Sequence, residues 1–120
     1  MHTGDGIPSV STDASMSDAV QEMSVKRLGM TCVTDAEGRL AGILTDGDLR
    51  RRLLRVERPL QGTAGEAMTR IPTTIARGSL AGEALRIMEE KKITSLPVVD
   101  EAGRVAGVIQ IHDLWRTQLF

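Results

Sequence analysis

The segment TDGDLRRRLLR, residues 45–55, places a hydroxyl and two carboxylates directly before a basic stretch. Thr45 and Asp48 have the spacing of a helix capping box, in which each side chain accepts the backbone N–H of the other residue. The same groups, together with the unpaired N–H groups of a helix start, could form the wall of a ligand cleft. Both interpretations predict a helix that begins near Asp46.

Asp46 and Asp48 also restrict which ligand would suit this turn. Two carboxylates in one turn repel a bare phosphate near Thr45 unless an arginine or a metal ion compensates their charge. We therefore expect a sugar with many hydroxyls, or a nucleotide whose phosphates lie elsewhere, to fit better. Gly42, on the strand before this turn, either lines the same cleft or permits a close contact between strands.

The segment recurs 65 residues later in the chain. VTDAEGRLAGILTDGDLRR aligns without a gap with VVDEAGRVAGVIQIHDLWR, and agreement of this length indicates two copies of one unit. Asp48 corresponds to Asp113, whereas Thr45 corresponds to Gln110. Capping alone does not require an aspartate in both copies, so the repeat predicts two related but unequal ligand sites.

The elements of the first copy follow from its pattern. Apolar residues at helical spacing over 16–23 predict one buried helix face, with Ser15 as N-cap and Gly29 as the C-terminal stop. Two strands are expected around a turn at 35–38, followed by a helix from about Asp46 to Val56. The residues expected on the buried face are Met16, Ala19, Val20 and Met23.

The second copy repeats the order β-α-β-β-α, with a helix from Ser79 and a closing helix that ends at Leu119. We predict an α+β fold with one unit over 1–58, a second over 59–120 and a linker at about 56–64. A unit of this size leaves much of its sheet face uncovered, so the copies are expected to pack on each other as a pseudo-twofold pair.

The pattern G-h-h-T-x-x-D at a strand-to-helix junction, in paired β-α-β-β-α units, resembles the cystathionine-β-synthase (CBS) domain. V-x-D-x-x-G-R-h-A-G in both copies and GILTDGD in the first make the resemblance specific, and it covers essentially the whole chain. In that family the threonine approaches phosphate and the aspartate holds ribose hydroxyls. The ligand-binding residues that the resemblance implies are Thr45, Asp48, Gly42, Asp46, Met30, Thr31, Gln110, His112, Asp113, Ser95 and Leu96.

The chain is also similar to the C-terminal CBS pair of bacterial D-arabinose 5-phosphate isomerases. This similarity implies a non-catalytic regulatory module, detached from a sugar-isomerase domain that makes arabinose 5-phosphate for lipopolysaccharide synthesis. It implies an adenine nucleotide or a CMP-sugar as effector, and a homodimer within a tetrameric parent. Two alternatives remain, which are a ligand-free oligomerisation module and the CBS pair of a sugar nucleotidyltransferase.

Composition argues against several other classes. The net charge is −1 and aromatic residues make up 2% of the chain, which disfavours binding to nucleic acid. No apolar run approaches the roughly 18 residues of a membrane span, and the start lacks a signal-peptide pattern. A cytoplasmic protein is therefore expected. The lone Cys32 cannot form an internal disulfide.

Catalysis and metal binding are not expected either. His112 and Asp113 lack an oriented nucleophile, because the nearest candidates are Thr94 and Ser95. His112 is expected either to contact an anion or sense pH, or to be an exposed residue of a first helical turn. A calcium loop at residues 46–51 fails, since arginines occupy its fifth and sixth positions. The methionines expected to fill the core are Met16, Met23, Met30, Met68 and Met88.

Overall fold

A computed structural model of the chain describes residues 3–70 and 72–112. Two similar sets of strands and helices follow each other along the chain. They are a 3-10 turn (Gly4–Gly6), β1 (Ser9–Ser11), α1 (Met16–Lys26), β2 (Met30–Thr34), β3 (Leu40–Thr45), α2 (Asp46–Arg55), α3 (Ala64–Ala67), β4 (Thr69–Arg70), β5 (Ile75–Ala76), α4 (Ala81–Lys91), β6 (Ser95–Val99) and β7 (Val105–Gln110). Ile111 and His112 begin a helical turn, and the rest of the predicted closing helix lies outside the described residues, as does Asp113.

The strands form two sheets, ordered β1-β2-β3-β4 and β5-β6-β7. In each sheet a short entry strand runs parallel to the first strand of an antiparallel hairpin. Met30 lies opposite Thr45 in the first hairpin, and Ser95 lies opposite Gln110 in the second. The α+β prediction and the 65-residue repeat are therefore confirmed, and each ladder brings together residues that the sequence proposed as ligand contacts.

The beginning of the second copy packs on the sheet of the first copy. β4 pairs antiparallel with the end of β3, and Gly42 lies opposite Arg70. Ala64 of α3 is buried in the core cluster that also contains Met16 and Leu44. The sheets thus change after Arg70, which is later than the linker predicted at about 56–64.

Three clusters of buried side chains hold the fold together. The first two lie beneath α1 and α4, where Met16, Ala19 and Met23 occupy the predicted inner face of α1. The third joins the two sheets, with Met30 and Cys32 from β2 and Val108 from β7. The copies therefore pack on each other as predicted, and the methionines that the structure buries fully are Met16, Met30 and Met88.

The hairpin turns of the two copies are built alike and touch each other. The Asp35 carboxylate accepts the N–H groups of Glu37 and Arg39, each at 2.9 Å. The Asp100 carboxylate makes the same two bonds in the second copy. The Leu40 N–H then donates to the Gly103 carbonyl at 2.9 Å, which fixes one turn against the other.

The sequence predicts the start of α1 correctly but not its end. Ser15 is the N-cap as predicted, since its hydroxyl accepts the Asp18 N–H at 3.1 Å. The predicted stop at Gly29 is wrong, because Arg27 already takes the left-handed conformation with φ 58°. The Arg27 N–H still closes the last turn by donating to Met23, so the chain leaves the helix before it reaches the glycine.

The second long helix ends in the same way. α4 begins after Leu80 rather than at Ser79, and Lys92 follows it in the left-handed conformation with φ 57°. Arg27 and Lys92 stand at equivalent positions of the repeat, in a region that normally favours glycine. In the two ranges that the structure describes, no helix has the length and apolar character to span a membrane.

Candidate functional site

A cavity of about 570 Å3 lies where the β3–α2 junction of the first copy faces the α4–β6 junction of the second. Its volume is within the range of about 300–1,000 Å3 that small-molecule sites occupy. Its walls come from four stretches of the chain. The lining residues are Gly29, Met30, Ile43, Thr45, Asp46, Gly47, Arg50, Thr69, Pro72, Thr73, Lys92, Ile93, Thr94 and Ser95.

The lining combines hydroxyls, charges and an apolar part. Its two cations, Arg50 and Lys92, outnumber its one carboxylate, Asp46. The apolar part comes from both copies. The hydroxyl-bearing residues are Thr45, Thr69, Thr73, Thr94 and Ser95, and the apolar ones are Met30, Ile43, Pro72 and Ile93. Such a lining can hydrogen-bond a polyhydroxyl group, attract an anion and cover a flat ring.

The capping box at the start of α2 is present. The Thr45 hydroxyl accepts the Asp48 N–H at 3.1 Å, and the Asp48 carboxylate accepts the Thr45 N–H at 2.9 Å. These bonds satisfy donors that a helix start leaves without an intrahelical partner. They also fix the Thr45 hydroxyl at the edge of the cavity.

The second oxygen of Asp48 faces away from the helix start. It accepts from Arg51 at 2.6 Å and from the Thr69 hydroxyl at 3.1 Å, and the side chain is only 10% exposed. The aspartate therefore joins α2 to β4 and is not among the residues that line the cavity. Arg51 compensates the charge of Asp48. The sequence analysis requires such an arginine, or a metal ion, if a phosphate is to lie near Thr45.

Asp46 remains as the carboxylate of the cavity. Its N–H donates to the Gly29 carbonyl at 3.0 Å, which attaches the start of α2 to the α1–β2 connection. A Cβ on Gly29 would lie 3.3 Å from the Asp46 carboxylate. The glycine thus lets the acidic side chain pack over the backbone at this wall.

The predicted site residues separate into those that line the cavity and those that do not. Four line it: Thr45, Asp46, Met30 and Ser95. Gly42 serves the close strand contact, since a Cβ there would lie 2.6 Å from both the Met68 sulfur and the Thr69 carbonyl oxygen. This contact accounts for the glycine, and its ligand role stays a prediction.

Thr31 and Leu96 occupy equivalent positions in β2 and β6, and both are fully buried. The Thr31 hydroxyl donates to the Cys32 carbonyl at 3.1 Å. Side chains alternate along a strand, so Thr31 and Leu96 face the core where their neighbours Met30 and Ser95 reach the cavity. The sequence predicts a ligand contact for both residues of each neighbouring pair.

Gln110 lies at the second junction between the copies, where the end of β7 meets the α1–β2 connection of the first copy. The Gln110 amide donates to the Leu28 carbonyl at 2.7 Å and to the Ser95 hydroxyl at 2.9 Å. His112 is exposed at the end of the described residues. Asp113, the remaining predicted contact, lies outside the described residues.

Sequence reasoning missed several residues that line the cavity, above all Arg50 and Lys92. The sequence pattern assigns no ligand contact to either residue. The available signal was the stretch between α4 and β6, residues 92–94. In the repeat it corresponds to residues 27–29, which directly precede the predicted ligand contact Met30. Only the packing of the copies turns it toward Thr45.

The described residues hold no other reactive centre. Among residues 3–70 and 72–112, no cluster of three or more His, Cys, Asp or Glu side chains could hold a metal ion. Burial raises the pKa of the Cys32 thiol from 9.0 to about 12. A protonated thiol inside the third core cluster is neither a nucleophile nor a metal ligand at neutral pH.

Two comparisons decide the family. The sequence profile of the CBS domain matches residues 3–55 and 64–114, one match for each copy of the repeat. The chain belongs to the CBS domain family. As a tandem CBS pair it superposes on CBSX2 of Arabidopsis thaliana, solved in complex with AMP, with a TM-score of 0.83 and 26% identity over 99% of this chain and 92% of that one.

The curated relatives of this CBS pair are larger proteins. It is 48% identical over 116 residues to arabinose 5-phosphate isomerase KdsD of Pseudomonas aeruginosa, covering 97% of this chain and 36% of KdsD. It is 41% identical to arabinose 5-phosphate isomerase GutQ of Escherichia coli K12, again covering 97% and 36%. The chain thus spans about a third of the length of these relatives, and the predicted similarity to this isomerase family is confirmed.

Proposed function

We propose that this CBS pair binds a nucleotide in the cavity between its copies and transmits occupancy to an attached arabinose 5-phosphate isomerase domain. The observation that carries the proposal is the lining, in which five hydroxyl side chains stand beside Arg50 and Lys92. Hydroxyls bind ribose, and a guanidinium and an ammonium complement phosphate. The cavity therefore offers both parts of a nucleotide a matching surface.

The placement of the charges suggests how the ligand lies. We assign the phosphate to the side of Arg50 and Lys92, and the base to the apolar part around Ile43 and Ile93. Asp46 then suits a ribose hydroxyl, which can donate to a carboxylate. AMP is the first ligand to test, because the related CBSX2 structure contains it, and a CMP-sugar is the second.

Lys92 gives this assignment a sharp test. A glycine at position 92 removes the cation and also relieves a left-handed backbone, φ 57°, that costs an ordinary residue roughly 1 kcal/mol. The Lys92→Gly variant should therefore be no less stable than the wild type. Its affinity for AMP should nevertheless fall about tenfold, which corresponds to one charge-assisted contact of about 1.4 kcal/mol.

The matched control is Arg27→Gly, which changes the equivalent residue, φ 58°, outside this cavity. Isothermal titration calorimetry with AMP and with adenosine measures both variants. Lys92→Gly should weaken AMP more than adenosine, whereas Arg27→Gly should change neither. An absence of binding heat for AMP and CMP-sugars with the wild-type chain would refute the proposal.

Regulation is tested in a chimera. The matched region of Pseudomonas aeruginosa KdsD is replaced by this chain, which is 48% identical to it. We expect the effector to change the rate of isomerisation between ribulose 5-phosphate and arabinose 5-phosphate, and Lys92→Gly to weaken that response. Equal isomerisation rates with and without a bound effector would show that the module binds a ligand but does not regulate the isomerase domain. The isomerase names of the relatives favour this parent over a sugar nucleotidyltransferase.

A second function, subunit assembly, is favoured by a separate apolar groove. The groove has a volume of about 520 Å3 and lies between α1, α2 and the segment that follows α2. Leu53 and Leu60 in its wall are 64% and 56% exposed. Contiguous exposed apolar surface commonly marks a protein interface, which supports a homodimer with this face buried.

Light scattering coupled to size-exclusion chromatography tests the assembly. Leu53→Asp should convert the dimer to a monomer, because it places a carboxylate in the groove. Val25→Asp is the matched control, since Val25 is also 64% exposed but does not line the groove. A wild-type monomer at high micromolar concentration, or a dimer that both variants leave intact, would contradict this role.

A further inference from the structure

The repeat relates the cavity to the second junction between the copies. At the 65-residue offset, Thr45 corresponds to Gln110 and Ile93 corresponds to Leu28, while Met30 and Ser95 exchange places. The same backbone geometry therefore occurs twice, and the side chains at positions 45 and 110 decide how each junction is closed.

Gln110 closes its junction by one hydrogen bond to the first copy and one within the second copy. Its Nε2 donates to the Leu28 carbonyl at 2.7 Å and to the Ser95 hydroxyl at 2.9 Å. The Ser95 hydroxyl itself donates to the same carbonyl at 3.3 Å. At the first junction the Thr45 hydroxyl instead accepts the Asp48 N–H within its own helix.

These bonds lie directly behind the cavity. Ser95 lines the cavity, and Leu28 immediately precedes Gly29 and Met30, which line it as well. A serine hydroxyl donates once and accepts twice. With its proton toward Leu28 and one lone pair toward Gln110, the Ser95 oxygen keeps one acceptor position for a ligand in the cavity.

We propose that Gln110 is a positioning residue for the ligand cavity: it orients the Ser95 hydroxyl to accept from a donor of the bound nucleotide, such as a ribose hydroxyl. This inference rests on the proposed function. It differs from the role implied by the family resemblance, in which position 110 contacts the ligand itself.

The test is a double-mutant cycle on AMP affinity. Gln110→Met keeps the length of the side chain and removes the amide bonds to Leu28 and Ser95, and Gln21→Met is the matched control on the exposed surface of α1. We expect Gln110→Met to weaken AMP binding about five- to tenfold in calorimetry, and Gln21→Met to leave it unchanged. In a Ser95→Ala background Gln110→Met should have no further effect, because its target hydroxyl is gone.

Each outcome decides between two explanations. An equal loss of affinity in both backgrounds would show that Gln110 supports the wall only by packing, and would overturn the positioning role alone. A wild-type chain that binds no nucleotide would overturn the proposed function and this role together. If Gln110→Met fails to fold by circular dichroism, Gln110→Thr replaces it with the residue type of the first copy, and the same cycle applies.

Discussion

Replacement of Asp48 by alanine should destabilise the folded chain without any ligand present. The Asp48 carboxylate accepts from the Thr45 N–H at 2.9 Å, from Arg51 at 2.6 Å and from the Thr69 hydroxyl at 3.1 Å. Asp48→Ala removes all three contacts and leaves the start of α2 with only the Thr45 half of its capping box.

The magnitude follows from these contacts. Loss of one side of the capping arrangement costs about 1 kcal/mol, and the solvent-exposed bond from Thr69 adds about 1 kcal/mol. Arg51 is 58% exposed, so its ion pair is screened by water and contributes only about 0.3–0.5 kcal/mol. We expect the free energy of unfolding to fall by about 2 kcal/mol.

The assay is urea denaturation followed by circular dichroism at 222 nm. Asp18→Ala is the matched control, because Asp18 occupies the same third position of α1, behind the N-cap Ser15, without the reciprocal bond of a capping box. That variant should stay within about 0.5 kcal/mol of the wild type. The reasoning is refuted if the two variants are equally stable, or if Asp48→Ala unfolds at the wild-type urea concentration.

This result would also affect how ligand experiments are interpreted. A loss of ligand response in Asp48→Ala would not distinguish a ligand contact from a weakened α2. Lys92→Gly makes that distinction, because it removes a cavity cation at a position where glycine is favoured.

Two further predictions concern stability. Gly42→Ala should destabilise the chain by about 1–3 kcal/mol in urea denaturation, because the new Cβ would lie 2.6 Å from the Thr69 carbonyl oxygen. Gly82→Ala is the control and should not destabilise the chain, because its Cβ would meet no other part of the structure within 4 Å. Burial raises the pKa of Cys32 from 9.0 to about 12, so its stabilising effect is complete below pH 9 and is lost as the pH rises toward 12. The free energy of unfolding should therefore fall by about 1.4 kcal/mol more per pH unit above 9 in the wild type than in Cys32→Ala, and parallel pH profiles would contradict this.

Local chemistry accounts for what could be predicted at the start of α2. The capping box needs only residues 45–48, and the Asx turns need only an aspartate and the four residues after it. Interactions of such short range depend little on the rest of the fold. The repeat likewise made the hairpins and the CBS fold predictable, because two copies of one pattern reinforce the same assignment of strands and helices.

Local pattern could not predict contacts that come from a distant element. The ligand role of Asp48 stays a prediction, and the structure adds that its second oxygen accepts from Thr69 of β4, a strand contributed by the other copy. The sequence contains no sign that β4 pairs with β3. Likewise, the sequence predicts Gly29 as the helix stop, but the left-handed residue that ends α1 lies two positions earlier, at Arg27.

The residue pattern alone predicts the repeat, the family and the strand-to-helix junctions, because these depend on short stretches of the chain. Which side chains face the cavity depends instead on how one copy packs against the other. Lys92 lies 47 positions from Thr45 in the chain, yet both line one cavity. Gln110, which follows Thr45 by one full repeat, bonds behind that wall instead. Equivalent positions of the repeat thus acquire different roles, because their side chains differ and the packing between the copies gives them different partners.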